Sequence, residues 1–131
     1  MAKKDRKYYD IKFPITHENE SQGFYFDLNR NKYEAIRSCI THLIFTPTGQ
    51  RLRNPEFGSN LVKMLFMPND DITQSQVKEE INSSIKKFIP IVDVKNIDGE
   101  VDESGRGYKI HIDYGISEGN FEVKDSIDIN I

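Results

Sequence analysis

Glu56 stands between Pro55 and Phe57, an apolar setting of the kind a general acid needs. Hydrolysis of a glycosidic bond requires a second carboxylate across the sugar from the first, and the pattern points to no partner for Glu56. Platforms for stacking a sugar ring are scarce as well, since the chain has no tryptophan. Cleavage of peptidoglycan is therefore the catalytic alternative this sequence offers, not its leading reading. Cys39 has no base near it in the pattern and reads as a core thiol beside an apolar helix stripe. His17, His42 and His111 lack metal-ligand spacing, and one cysteine cannot build a zinc site. Gly105-Arg106-Gly107 is short and runs into a strand pattern, so it lacks the helix N-terminus that phosphates use. No catalytic residue, metal ligand or cofactor is expected.

The bulk properties narrow the partners. A formal charge of -3 over 131 residues argues against nucleic acid, whose binders concentrate positive charge. Lys3, Lys4, Arg6 and Lys7 make only a short basic run, a solvated tail or a docking arm for an acidic partner. One cysteine excludes an internal disulfide, so nothing requires an oxidising compartment. No stretch approaches the ~20 consecutive apolar residues of a membrane span, and no apolar segment follows the basic residues as in a secretory signal. The expectation is a protein without nucleic acid or membrane partners, made in a cytosol-like setting.

Periodicity supplies the elements. Residues 1–22 read as an extended N-terminal arm, with Tyr9, Ile11, Phe13 and Ile15 alternating around Pro14. Residues 23–131 read as one domain. Phe24, Phe26 and Leu28 alternate again. Tyr33, Ile36, Ile40, Leu43 and Ile44 recur at helical spacing behind a cap at Asn29 or Asn31. Gly49 to Gly58 read as a turn, a short strand and a second turn, and a brief helix follows from Asn60 to Phe66 with Leu61, Leu65 and Phe66 on one side. Thr73-Gln74-Ser75-Gln76 matches a capping box, and Val77, Ile81, Ile85 and Phe88 form one helical face ending before Pro90. From there the period is two. Val92 and Val94 alternate, Ile97 falls out of phase as at a bulge, and a loop spans Asp98 to Gly107. Tyr108 to Ile116 and Phe121, Val123, Ile127, Ile129 and Ile131 complete the pattern around a hairpin at residues 117–120. The fold class is α+β: two main helices and a short one packed on a three-stranded antiparallel C-terminal meander, with the extended arm in front.

The final strand spends isoleucines on its last residues. It completes the domain's own sheet and also offers an edge that another chain can pair with, through Phe121, Val123, Ile127, Ile129 and Ile131.

One segment carries a specific resemblance. It comprises Ala35-Ile36-Arg37-Ser38-Cys39-Ile40, Phe45-Thr46-Pro47-Thr48-Gly49-Gln50-Arg51, Asn54-Pro55-Glu56-Phe57-Gly58-Ser59-Asn60-Leu61 and Leu65-Phe66. This run resembles the small baseplate wedge proteins of contractile phage tails and their type VI secretion counterparts, and with the capped helix and strand-rich tail it spans roughly residues 31–131. The family commonly carries glutamate-proline-arginine where the long helix ends, charges that tie it to the wedge's helical core. Here Ile89-Pro90-Ile91 keeps only the proline.

The resemblance implies a structural protein in the tail baseplate of a virion, assembled in the host cytoplasm. It implies a place in the inner ring around the end of the tail tube, in about six copies. Implied partners are the tail sheath protein, other wedge proteins, and tube or hub proteins, with strands presented so that sheath assembly starts in register. Gly49, Pro55, Glu56, Phe57 and Gly58 form the shared structural motif, and Arg51, Arg53, Ile89, Pro90 and Ile91 are candidate wedge contacts. Some relatives are described as lysozyme-like, a label the residue inventory does not support. Related folds also occur in bacterial anti-adaptors that bind a response regulator, which leaves a small regulatory adaptor as the other alternative.

Overall fold

The computed structural model of the protein describes residues 11–13, 28–29, 31–64, 66–68, 70–101, 103, 107–118 and 120–130. Most of the expected arm, Phe24 and Phe26 of the second alternating stretch, and Ile131 lie outside these residues. The chain divides into two compact units, Met1–His42 and Leu43–Ile131, with the division inside the first helix.

In the first unit, α1 (Lys32–Phe45) starts where Asn31 Oδ1 accepts a hydrogen bond from the Glu34 N–H at 2.8 Å. Its apolar stripe, Ile36, Ile40, Leu43 and Ile44, is buried as the spacing requires. Cys39 is not a core thiol. It is exposed, because its position lies roughly 85° around the helix from the centre of that stripe. Two pieces of extended chain meet in an antiparallel bridge, Ile11 with Leu28. The buried Asn29 donates from Nδ2 to the Ile11 carbonyl at 3.4 Å and accepts from Ser38 Oγ at 3.1 Å, while Ser38 Oγ accepts the Phe13 N–H at 3.2 Å. Two side chains thus satisfy backbone groups of Ile11 and Phe13 that a neighbouring strand would otherwise satisfy.

The second unit begins with the end of α1, Leu43 to Phe45, followed by the turn region 46–60. Next come α2 (Leu61–Met64) and α3 (Asp71–Phe88), then β1 (Val92–Val101), β2 (Tyr108–Glu118) and β3 (Phe121–Asn130). The segment around Leu52 is a bend, not the strand expected there, and α2 stops short of Phe66, which lies exposed instead of on its apolar side. The cap of α3 also differs from expectation. Asp70, in extended backbone, accepts the Thr73 N–H at 2.7 Å, so the helix starts ahead of the Thr73–Gln76 pattern and Thr73 is buried in its first turn. An Asp cap three residues before a free N–H is as good a partner as the capping box and comes first along the chain. Val77, Ile81 and Ile85 are buried, and α3 packs against β1 and α2. Glu80 reaches from α3 to accept the Asn60 N–H at 2.9 Å, just ahead of α2.

The sheet is antiparallel in the order β1-β2-β3. Its register skips one residue between Val94 and Asn96, a bulge at Lys95, and this returns Ile97 to the buried face opposite Ile112. Strand β1 then continues to Val101, so the loop expected from Asp98 is shorter. The buried face carries Val92, Ile97, Ile110, Ile112, Tyr114, Ile116, Ile127 and Ile129. Asp125, which breaks the apolar parity of β3, is half-buried and accepts a hydrogen bond from the hydroxyl of the buried Tyr114 at 3.1 Å.

Candidate docking surfaces

The Pro55–Gly58 motif is held by its neighbours on every side. Gly49 donates its N–H to the Pro55 carbonyl at 2.7 Å, and Phe57 to the Asn54 carbonyl at 3.0 Å. Ser59 donates from its N–H to the Thr46 carbonyl at 2.9 Å and from Oγ to the Ile44 carbonyl at 2.8 Å. The buried Phe57 ring meets Phe88 edge-on at 5.1 Å, and the Arg51 guanidinium lies 4.0 Å above it. Glu56 is exposed and pairs with Lys87 at 3.0 Å. The motif therefore anchors a loop to the C-terminal end of α3. Gly49 and Gly58 have φ of 95° and 125°, values that favour glycine, and a Cβ on Gly58 would run into the Thr46 carbonyl oxygen.

Of the candidate contact residues, Arg51 and Arg53 are exposed. Ile89 is buried at the end of α3, while Pro90 and Ile91 face outward. Ile127 and Ile129 turn into the domain's own core, so their side chains are not open to a partner. Val123 is half-buried, and Phe121 opens β3. Leu52, fully exposed between the two arginines, was not anticipated as a contact because a strand pattern conceals how far a bend projects.

The outer face of the sheet joins its strands by charge. From the bulge, the Lys95 ammonium reaches Asp93 at 2.6 Å and Glu122 at 2.8 Å, spanning β1 to β3. Gly115 makes room for this, since a Cβ there would meet the Glu122 carboxylate. The hydrogen bonds that the Lys95 ammonium donates to Asp93 and Glu122 hold its pKa well above its usual range. His111 bonds through Nδ1 to Asp128 on β3 at 2.5 Å and through Nε2 to Asp113 at 3.1 Å. Asp98 on β1 is its other cross-strand neighbour, and Lys109 lies two residues before it.

The Asp128 bond, followed by the Asp113 and Asp128 charges, raises the His111 pKa above its ordinary 6.5, and the His111 bond lowers that of Asp128 below 3.8. The histidine's contribution is complete below pH 6.5 and disappears as pH rises through its folded pKa; the aspartate's disappears as pH falls below 3.8. Replacing His111 by Asn is expected to lower Tm more at pH 5.5 than at pH 8.5. Thermal unfolding of both proteins at each pH checks this, and equal losses would remove the bridge from the account.

Among the described residues no group of three or more His, Cys, Asp or Glu side chains could hold a metal ion, and no helix is long and apolar enough to cross a membrane. What the structure offers is a braced turn, a charged sheet face and an edge strand. The chain belongs to the family of baseplate wedge protein gp25, whose sequence model matches residues 30–120. It is thus a structural component of a baseplate.

Solved structures share the fold. A protein assigned as a tail lysozyme from Geobacter sulfurreducens is 18% identical with a TM-score of 0.65, over 76% of this chain and 90% of that one. A chain of the anti-feeding prophage baseplate is 16% identical with a TM-score of 0.59, over 90% and 81%. A chain of the post-contraction pyocin R2 baseplate is 24% identical with a TM-score of 0.53, over 70% and 83%. No curated protein is significantly similar to this sequence.

Proposed function

We propose that this chain is an inner wedge protein of a contractile tail, carried in the finished particle in about six copies around a ring, and that β3 offers its outer edge to a strand of the tail sheath protein. The observation that carries this reading is the contrast between the two edges of the sheet. Strand β1 is interrupted by the Lys95 bulge and has α3 packed against it, two features that discourage strand addition. Strand β3 pairs with β2 over ten consecutive residues without a skip, and within its unit no other described strand lies on its outer side. Each hydrogen bond made there contributes about 0.5–1.5 kcal/mol net, and the buried Ile127 and Ile129 fix which way the strand faces.

The role requires no catalysis. Glu56 is solvent-exposed and neutralised by Lys87, not enclosed opposite a second acid. Tube or hub proteins complete the neighbours expected at the inner ring, and Ile91 with Pro90 offers an apolar contact to the wedge where the helix ends.

Proline tests the edge without removing core side chains. Along β3 the backbone N–H groups point alternately toward β2 and outward, so Val123→Pro and Lys124→Pro remove one of each. The variant that keeps the wild-type Tm is the one that lost an outward donor. Its affinity for purified sheath protein is expected to fall about two- to tenfold. Sheath binding unchanged in that variant would overturn the edge-pairing reading.

A further inference from the structure

The Arg51-Leu52-Arg53 tip combines three properties. First, it projects: Leu52 is 101% exposed, and both arginines are exposed. Second, it is braced. The Gly49–Pro55 hydrogen bond closes the loop at its base, Gln50 donates to the Pro47 carbonyl at 3.3 Å, and Arg51 is laid against the Phe57 ring. Third, it is positive on a chain of net charge -3, and among the described residues neither arginine forms an ion pair. A lone exposed leucine needs no explanation. A leucine held out on a closed loop between two uncompensated guanidinium groups has the form of a binding anchor with a polar rim.

We propose that this tip is a docking prong that seats Leu52 in an apolar socket rimmed by carboxylates on a neighbouring wedge protein. The proposal rests on the wedge reading above and adds the partner's chemistry to it. The leucine supplies the buried contact, and the arginines supply bidentate hydrogen bonds to the rim. The closed loop limits the entropy lost on docking. Two arginines without a leucine would suit a phosphate backbone equally well; the exposed apolar side chain between them favours protein.

The test is binding of the full chain to the purified wedge proteins of its own particle, measured for the wild type, Leu52→Asp and Arg53→Glu. Leu52→Asp is expected to weaken binding about thirtyfold or more, Arg53→Glu about five- to tenfold with a shallower salt dependence. Both variants keep the wild-type Tm, since neither side chain is buried. Wild-type affinity in both variants overturns the prong while leaving the wedge reading intact. Absence of any binding by the wild-type chain removes both. Salt-dependent binding of a DNA duplex that is lost in Arg53→Glu, with wedge binding unaffected, would make the tip a phosphate contact and also overturn the proposal.

Discussion

Gly58→Ala destabilises the protein by about 3–5 kcal/mol, and Gly49→Ala by about 1 kcal/mol, although both glycines have positive φ. The difference lies in what the added methyl meets. At Gly49 nothing stands within 4 Å, so the cost is the backbone conformation alone, part of it offset by the reduced freedom of the unfolded chain. At Gly58 the methyl collides with the Thr46 carbonyl oxygen and lies 3.0 Å from the Pro47 carbonyl carbon and the Thr48 nitrogen, all backbone and unable to swing aside. That backbone is held in turn by the Ser59 N–H on the same Thr46 oxygen. Relief must separate residues 46–48 from 58–59 and break the bridge between Pro47 and Ser59. Urea unfolding of the two variants side by side measures the gap, and equal losses would show that the close approach does not constrain the fold. The consequence reaches the surface, because the same turn carries Phe57 and the Arg51–Arg53 tip.

Deleting residues 127–131 is expected to abolish cooperative unfolding. Ile127 lies opposite Ile112 and Ile129 opposite Ile110, in the middle of the buried face. Removing a buried isoleucine side chain costs about 2–5 kcal/mol, so losing two costs about 4–10 kcal/mol against a typical total of 5–15 kcal/mol. The deletion also takes Asp128 from His111. Far-UV circular dichroism through a urea titration reads the result; a sharp transition near the wild-type midpoint would contradict the burial argument. Because the truncated chain loses its fold, loss of sheath binding on truncation cannot separate a missing edge from a missing domain. The paired proline variants on β3 make that separation.

The periodic elements were legible in the residues themselves. Ile36, Ile40, Leu43 and Ile44 specify one helix face, Val77, Ile81 and Ile85 another, and the alternation from Tyr108 to Ile116 specifies a central strand. Even the bulge was readable, since Ile97 is out of phase with Val92 and Val94 and only an extra residue restores it. These features are local: a repeat of 3.6 or 2 residues decides which side chains can be buried together. The Pro55–Gly58 motif was equally visible, because glycine and proline constrain the backbone wherever they occur.

Tertiary structure decided the rest. The residues pointed to Thr73 as the cap of α3, yet the extended backbone at Asp70 makes Asp70 the cap. The pattern around Leu52 suited a strand, yet the hydrogen bonds closing residues 49–55 turned it into a projecting tip. Asp125 read as an interruption until Tyr114 came within reach of it. Lys95, Gly115 and Glu122 are separated along the chain and become one bridge only when three strands lie in register. Sequence periodicity determines which face of an element is apolar. Which edge is left open, and which polar groups meet across it, depends on pairings between distant residues that no local repeat encodes.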